Sequence, residues 1–407
     1  MEMKFKKNNA VCVVTYKYLP EWGGLARSAS RLVEYLLAAG YEVHVIVPSF
    51  SAPENGKSSL EFHNLLDKPE LDARGAHVYR PQITHKENLM GELLELLLLL
   101  DQRHDFRIFH GYYLPFSFPC LMVASSGNRP VIASIRGSDA VKEGVSPFYF
   151  PYIQAALQQA TWITSVSSDL LKNANGITDI SKKSSVIFNG IDTTGFPRWK
   201  GYEATQGIVG TMGELRFKKA IPLLVKAYSN LEKSDRKKLI LGGVYADELE
   251  KAAVHSLIQQ CELQDEVVHT GFLKRNYLLE EATNFNIFVV NSYHDGMPNT
   301  LLEAAACGIP IIATRVGGMI DVLEDGVNAL LVDPGDANQL SAAISKLLQN
   351  KTLCSKLSKG ALRLAAKLNY QQENDSWITL YKKLLCETYL STDKSKSEIA
   401  TESLNMI

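Results

Sequence analysis

The residues best suited to chemistry in this 407-residue chain lie between Asp295 and Glu303. The apolar run IFVVNS at 287–292 is typical of a strand end, and the Asp-Gly-Met-Pro that follows predicts a tight turn. Asn299 or Thr300 can then cap a helix that begins LLEAAA. A helix start presents main-chain N–H groups and about half a unit of positive charge, which suits a diphosphate or a cluster of sugar hydroxyls.

The two carboxylates of this segment suggest its ligand. Glu303 falls one turn into the predicted helix, where it can accept hydrogen bonds from a ribose diol. Asp295 lies on the turn, where it can bind a hydroxyl of whatever the phosphate carries. Taken alone, either acid has a plain structural explanation, because Glu303 suits a helix N-terminus and Asp295 suits a turn. Together with the downstream GIP-strand-VGG pattern at 308–318, they predict a site for a nucleotide-sugar.

Composition limits the class of protein. The charged residues nearly balance, at 43 Lys and Arg against 44 Asp and Glu, which argues against nucleic acid as a partner. No Asp-x-Asp pair occurs and the nine histidines show no metal-ligand spacing, so we expect no metal. We find no signal peptide, and the run Leu93–Leu100 is too short to span a membrane and reads as a buried helix face. These features, with six scattered cysteines, predict a cytoplasmic protein.

Short β-branched runs alternate with longer stretches of helical period along most of the chain. This pattern predicts an α/β fold of two doubly wound parallel sheets that face each other across a cleft. A glycine-rich interruption at 190–207 separates the two series. We therefore expect an N-terminal domain over 1–195, joined by a C-terminal helix at 370–389, and a second domain over 205–369. The polar tail 391–407 is predicted to be disordered.

The segment D-G-M-P-N-T-L-L-E-A-A-A-C-G-I-P resembles the signature of retaining glycosyltransferases of family 4, which have the GT-B fold of two facing Rossmann-like domains. Asp295 stands where the family has the first Glu of its Glu-x7-Glu motif, and Glu303 stands at the second. The resemblance implies that Asp295 contacts the donor sugar and that Glu303 holds the nucleotide ribose. The intervening residues are expected to bind the donor as well, and they are Gly296, Met297, Pro298, Asn299 and Thr300.

The stretch GTMGELRFKKAIPLLVKAY at 210–228 is similar to the family's G-R-L-x-x-x-K-G element. The resemblance assigns Lys219 to the lysine that neutralises the donor diphosphate. Glu214 stands where the family has an arginine, and Ala220 stands where it has a glycine. Arg216 and Lys218 are close enough in sequence to replace the missing arginine, and we expect Arg216 to do so.

The first half of the chain also resembles the family. Gly23 and Gly24 match the glycines that bring the backbone close to the donor, and His110 matches a histidine at a strand end that faces the cleft. Arg136, in SIRGSDA, stands where the family often has a histidine that contacts the donor sugar, so it could instead meet a phosphate or an acidic acceptor. Asn189 matches the family's N-G-V-D element, and we expect it to act in structure rather than in catalysis.

The resemblance implies transfer of a sugar from a UDP- or GDP-linked donor, with retention and without a metal or other cofactor. The acceptor would be a glycan, a lipid-linked molecule or another hydroxyl compound, and peripheral contact with the inner face of a membrane stays open. Three alternatives stay open as well: a GT-B-fold sugar-nucleotide epimerase, a phosphorylase, and a catalytically impaired relative that binds a nucleotide-sugar.

Overall fold

The computed structural model describes residues 9–21, 23–50, 66, 69–83, 85–137, 139, 143–205 and 207–404. Its chain folds into two compact α/β units. Unit 1 contains 1–166, 170–187 and 374–407, and unit 2 contains 167–169 and 188–373. The α/β class predicted from the alternation of strands and helices is confirmed.

Unit 1 is built on an eight-stranded sheet within its described residues. The strands of unit 1 are β1 Ala10–Val14, β2 Glu42–Ile46, β3 Ser49–Phe50, β4 Glu70–Leu71, β5 His77–Tyr79, β6 Gln82–Ile83, β7 Ile108–Gly111, β8 Val131–Ile135, β9 Trp162–Ser165 and β10 Ser184–Val186. The sheet order is β10-β9-β8-β7-β1-β2-β5-β4, and β3 pairs with β6 separately. All its pairs are parallel except β4 with β5. Strand β1 is buried throughout, as expected for a strand covered on both faces.

Unit 2 contains a six-stranded, wholly parallel sheet in its described part. Its strands are β11 Ile208–Met212, β12 Lys238–Gly242, β13 Val267–Gly271, β14 Ile287–Val290, β15 Ile311–Thr314 and β16 Leu330–Val332. The order β13-β12-β11-β14-β15-β16 is that of a Rossmann sheet, with two series of strands that run outward from β11 and β14.

Helices connect the strands. In chain order they are α1 Gly24–Ala38, α2 Leu89–His104, α3 Ser117–Ala124, α4 Phe150–Gln159, α5 Ser168–Ile177, α6 Tyr202–Thr205, α7 Ile221–Ser229, α8 Glu248–Gln260, α9 Arg275–Ala282, α10 Asn299–Cys307, α11 Met319–Val322, α12 Ala337–Leu348, α13 Lys351–Lys367 and α14 Tyr370–Leu404. Helix α2 contains the leucine run and buries Leu93, Leu96, Leu97 and Leu100. No helix in the described part of the chain is both long and apolar enough to cross a membrane.

The C-terminal helix differs from its prediction in length. It was expected over 370–389, and α14 begins at Tyr370 as expected. Helix α14 then continues to Leu404, through most of the tail for which the polar composition predicted disorder. A polar composition lowers the gain from burial, but it does not break a helix, and Tyr370–Leu404 contains neither glycine nor proline.

Candidate active site

The candidate site in unit 2 lies at the carboxyl ends of β11 and β14. These two strands are parallel neighbours, with Val209 opposite Ile287. The following strands lie on opposite sides of the pair, so the chain reverses its direction of winding here. In open α/β sheets the loops that diverge at such a point leave a crevice in which ligands bind. The loop Gly213–Ala220 follows β11, and the loop Asn291–Pro298 follows β14.

The two loops are joined by hydrogen bonds. The N–H of Tyr293 donates to the carbonyl of Lys218 at 2.9 Å, and the Asn291 side-chain amide donates to the carbonyl of Ala220 at 2.9 Å. Ala220 adopts a left-handed conformation with φ 47°, ψ 42°. Glycine takes this conformation without steric cost, which gives a physical reason for the glycine that the family has at this position. The short 3₁₀ turn Phe217–Lys219 ends there and directs two consecutive lysines toward the β14 loop.

Asp295 forms ion pairs with both of these lysines. Its carboxylate accepts hydrogen bonds from Lys219 Nζ at 2.6 Å and from Lys218 Nζ at 3.1 Å. The three side chains are only 10–19% exposed. Burial would raise the pKa of Asp295, but the charges of Lys219 and Lys218 outweigh burial and lower that pKa well below its ordinary value. Burial also lowers the pKa of Lys218, against the opposing effect of Asp295.

Arg216 does not join this ion-pair group, and its expected contact with the donor diphosphate stays a prediction. The Arg216 guanidinium pairs with Glu214 at 3.2 Å, and both side chains are 44% exposed. Lys218, and not Arg216, supplies the second positive charge at Asp295. A 3₁₀ turn brings residues 218 and 219 to the same carboxylate, whereas Arg216 precedes the turn in an extended conformation.

The turn that holds Asp295 packs directly against the backbone of Gly317 and Gly318. A Cβ atom on Gly317, where φ is 51°, would stand 1.5 Å from the carbonyl oxygen of Asp295. One on Gly318 would stand 2.2 Å from the carbonyl oxygen of Gly296, which accepts a hydrogen bond from the Gly318 N–H at 2.6 Å. The VGG pattern therefore lets one backbone lie directly against another and fixes the position of the turn.

Helix α10 begins at Asn299, with Pro298 as its N-cap and no side-chain hydrogen bond to cap it. The prediction that Asn299 or Thr300 caps the helix is therefore wrong, because the extended Pro298 takes the boundary position one residue earlier. The Leu301 N–H donates to the Pro298 carbonyl at 3.1 Å, which closes the first turn. The Asn189 side chain donates to the Met297 carbonyl at 3.2 Å, a contact that suits the structural role expected for it.

Glu303 lies in the first turns of α10, and its side chain is 9% exposed. One carboxylate oxygen accepts a hydrogen bond from Arg275 Nε at 2.9 Å. Arg275 is the first residue of α9, and its guanidinium also lies over the Phe196 ring, 5.1 Å from the centroid. Arg275 is not among the predicted site residues, because no sequence motif links it to Glu303.

Large exposed apolar side chains follow the carboxyl ends of the unit 2 strands. They are Phe217, Val244, Phe272, Tyr293 and Ile320. The rings of Phe217 and Tyr293 contact each other, with centroids 5.4 Å apart. Apolar surface of this kind beside a few convergent charged groups is typical of a small-molecule site.

In unit 1 the Gly23–Gly24 pair forms the start of α1. Gly23 has φ 138° and ψ 165°, a conformation that other residues avoid, and its carbonyl accepts a hydrogen bond from the Arg27 N–H at 3.2 Å. A Cβ atom on Gly23 would meet no heavy atom of the described residues within 4 Å. The backbone is therefore accessible at this helix start, as the expected role requires, while contact with a donor stays a prediction.

His110 is buried in the core, which differs from the expectation that it faces a ligand. Its Nδ1 lies 2.8 Å from the Tyr381 hydroxyl and its Nε2 lies 2.6 Å from the Ser134 hydroxyl. Burial, and next the charge of Arg136, lower the pKa of His110 well below its ordinary value. The residue belongs to β7 itself, so strand alternation turns its side chain onto the face covered by α14.

Arg136 follows β8 and stacks on Tyr112, with Cζ 4.6 Å from the ring centroid. The loop around it is organised by Asp139, a fully buried carboxylate. It accepts hydrogen bonds from the main-chain N–H groups of Arg136, Gly137 and Leu114 at 2.8–3.2 Å. Burial raises the pKa of Asp139 despite these bonds. The Asp in SIRGSDA thus shapes the loop, whereas a ligand contact by Arg136 stays a prediction.

Comparison with known proteins places these features in a family. The model for glycosyl transferases group 1 matches residues 198–363, and the model for glycosyltransferase family 4 matches residues 22–194. The N-acetyl-alpha-D-glucosaminyl L-malate synthase of Bacillus anthracis is 23% identical over 346 residues, which cover 82% of this chain and 87% of that protein.

Solved structures agree with this result at the level of the fold. Sucrose-phosphate synthase from Thermosynechococcus elongatus has a TM-score of 0.78 and 20% identity, covering 93% of this chain and 99% of its own. HepE from Anabaena, in complex with UDP-glucose, has a TM-score of 0.73 and 14% identity, covering 92% of this chain and 99% of its own. Two Rossmann-like units with a charged site at the unit 2 switch point define a glycosyltransferase of the GT-B type. The chain belongs to glycosyltransferase family 4.

Proposed function

We propose that this enzyme transfers a sugar from a nucleotide-diphosphate sugar to a hydroxyl acceptor, with retention at the anomeric carbon and without a metal ion in the transfer step. The observation that carries the proposal is the pairing of Lys218 and Lys219 with Asp295 at the switch point of unit 2. It brings two cations and one anion to the crevice in which a ligand of this fold binds.

The charges suit the transfer reaction. As the bond to the anomeric carbon breaks, negative charge grows on the departing diphosphate and positive charge grows on the sugar ring. Preorganised cations near the leaving group give the largest help that a protein can supply. Lys218 and Lys219 are held at a fixed place by Asp295, so little reorganisation is needed when the diphosphate takes them as partners. The start of α10 adds main-chain dipoles of the same sign.

We assign the sugar side of the donor to Asp295 and the ribose to Glu303. Arg275 holds Glu303 by one oxygen and so positions the carboxylate for a ribose diol. The exposed rings of Phe217 and Tyr293 add apolar surface at the same edge of the sheet. A UDP-linked donor is the first to test, because HepE has been solved with UDP and with UDP-glucose, and a GDP-linked donor is the second. The acceptor is a hydroxyl of a glycan, a lipid-linked molecule or a small metabolite.

Turnover of a labelled donor panel tests this proposal. Products are separated after incubation of the enzyme with UDP- and GDP-sugars and with hydroxyl acceptors. Label in a new glycoside with the donor's anomeric configuration supports retaining transfer, whereas label in an isomerised donor would mean epimerisation. Addition of Mg²⁺ or Mn²⁺ is expected to leave the rate unchanged, and a large increase would contradict metal-independent transfer.

Lys219→Met separates catalysis from structure. We expect kcat to fall at least tenfold, because one charge at the leaving group is lost. Lys226→Met is the matched control, since Lys226 lies in the last turn of α7, beyond the loop. Wild-type turnover by Lys219→Met would remove this lysine from the mechanism.

A further inference from the structure

Histidine side chains from three elements of unit 1 surround one carboxylate. Glu42 and His44 lie on β2, His77 lies on β5, and His104 is the last residue of α2. Glu42 Oε1 lies 3.0 Å from His44 Nε2, 3.8 Å from His104 Nδ1 and 4.0 Å from His77 Nε2. The rings of His44 and His104 are also in contact, with centroids 4.1 Å apart.

This cluster is separate from the candidate active site. It belongs to unit 1, whereas Asp295 and its lysines belong to unit 2. Glu42 and His77 are the first residues of their strands, so the cluster lies at the amino ends of β2 and β5. Ligands of open parallel sheets bind at the opposite, carboxyl ends. The transfer reaction therefore does not account for the cluster.

We propose that Glu42, His44 and His104 form a binding site for a zinc-class transition-metal ion. Their ligand atoms all lie within 4.8 Å of one another. In a tetrahedral zinc site, with bonds of about 2.0–2.2 Å, neighbouring ligand atoms are about 3.3 Å apart. The distances from Glu42 Oε1 to the two histidine nitrogens, 3.0 and 3.8 Å, lie on either side of that value. Small rotations of Glu42, which is 50% exposed, and of His104 at a helix end complete the geometry.

The identity of the ligands selects the metal. Two imidazoles and one carboxylate suit Zn²⁺, whereas Mg²⁺ and Ca²⁺ prefer oxygen ligands alone. The group whose ligand atoms all lie within 4.8 Å of one another consists of Glu42, His44 and His104. The ring of His77 stacks on His44 at 4.7 Å, with 18° between the planes. Two histidines and one glutamate leave the fourth position of the ion to water.

The surroundings of His44 are those of a metal ligand. Its Nδ1 lies 3.1 Å from the Tyr79 hydroxyl, so the second ring nitrogen has a partner that fixes the ring orientation, as is usual for ligating histidines.

The site would join α2 to the edge of the sheet. Glu42 and His44 come from β2, and His104 comes from the C-terminal end of α2. An ion that binds the folded chain and not the unfolded one stabilises the fold. Binding of the ion would therefore stabilise unit 1.

Titration of the chelator-stripped full chain with Zn²⁺ tests this proposal. The wild type is expected to bind one Zn²⁺ in competition with a chromophoric chelator. Glu42→Gln and His104→Gln should each weaken binding at least tenfold, as loss of a ligand or of its support does. Tyr79→Phe should weaken it by a smaller factor while preserving the ring packing. His85→Gln, at an exposed position outside the cluster, is the matched control and should bind like the wild type.

Two results would overturn the proposal. One is equal Zn²⁺ affinity in the wild type, Glu42→Gln and His104→Gln, each checked for native circular dichroism. The other is a Co²⁺ complex with the charge-transfer band of a thiolate ligand, which would place the ion at a cysteine. The expected Co²⁺ spectrum shows only the visible bands of nitrogen and oxygen ligands, and they are lost in His104→Gln.

Discussion

Asp295→Asn gives the sharpest separation of donor binding from sugar transfer. The substitution keeps the size of the side chain and removes the charge that pairs with Lys218 and Lys219. At an effective dielectric constant of about 20, each pair at these distances gains about 5–6 kcal/mol before desolvation is subtracted. Removal of one partner of a buried pair costs roughly 3–5 kcal/mol, and the 10–19% exposure of these groups reduces that to about 2–4 kcal/mol. The free energy of unfolding of unit 2 should fall by this amount.

The same substitution should act in the opposite direction on nucleotide affinity. Without the Asp295 carboxylate, no buried anion opposes the donor diphosphate, and the two lysines need a new counter-charge. We expect UDP or GDP, whichever binds the wild type, to bind about tenfold more tightly, a change of about 1.4 kcal/mol. Turnover should fall roughly 100-fold, because the contact to the sugar is lost.

Calorimetric titration measures the nucleotide affinity, and urea unfolding measures the free energy of unfolding. Transfer of a labelled sugar measures the rate. Asp336→Asn is the matched control, since Asp336 caps α12 through a hydrogen bond from the Gln339 N–H that asparagine can also accept. Weaker nucleotide binding by Asp295→Asn, together with a lower rate, would contradict this prediction and would mean that Asp295 serves only to position the lysines.

Three further predictions concern Glu303, Ala220 and His110. Glu303→Gln should weaken nucleotide binding by about 2–3 kcal/mol. In calorimetry it should also abolish the preference for UDP over its 2′-deoxy analogue. If the variant keeps that preference, Glu303 is a partner of Arg275 and does not bind the ribose. Ala220→Gly should leave the thermal midpoint unchanged or raise it, because it removes the strain of a left-handed conformation at φ 47°. Ala220→Val should lower the midpoint. A much lower midpoint for Ala220→Gly would contradict the left-handed conformation. Because the folded-state pKa of His110 is lowered, the folded chain binds fewer protons there than the unfolded chain, and stability is lost as pH falls below about 6.5. In thermal melts between pH 7 and 5, His110→Gln should reduce the loss of stability by up to about 1.4 kcal/mol per pH unit. An unchanged slope of stability against pH would mean that His110 does not contribute to it.

Much of unit 2 could be predicted from local signals. The alternation of strands and helices indicated the sheet, and the pattern LLEAAA indicated helix α10, although the helix begins two residues earlier, at Asn299. Gly317 and Gly318 were noticed as a motif, but only the structure gives the reason, which is direct contact of their backbone with the Asp295 turn. A local sequence pattern predicts where a turn falls, whereas the residues that pack against the turn come from a separate part of the chain.

Side-chain partners were the least predictable part of the site. Arg216 and Lys218 are two residues apart, and only the 3₁₀ turn decides that Lys218 reaches Asp295. Arg275 reaches Glu303 from another helix, without a sequence signal that joins them. His110 was read as a residue at a strand end, but it lies within β7 and packs under α14, where its ring nitrogens meet Tyr381 and Ser134.

The histidine cluster of unit 1 shows the same limit for metal ligands. Short spacings reveal ligands that share one helix or one turn. Glu42 and His44 share a strand, but His104 comes from the end of a helix much later in the chain. Tertiary packing alone joins them, so the expectation of no metal, which rested on spacing and on the lack of an Asp-x-Asp pair, could not take this cluster into account.

We expect the loops after β11 and β14 to bind the diphosphate of a nucleotide donor. Calorimetric titration of UDP, GDP and their nucleosides into the wild type and into the Lys218→Met, Lys219→Met double variant tests this expectation. We predict that one diphosphate binds the wild type at least 100-fold more tightly than its nucleoside, since two buried cations meet the phosphates, and that the double variant loses this difference. An equal preference for the diphosphate in both proteins would mean that the phosphates bind elsewhere and that these lysines are not their partners.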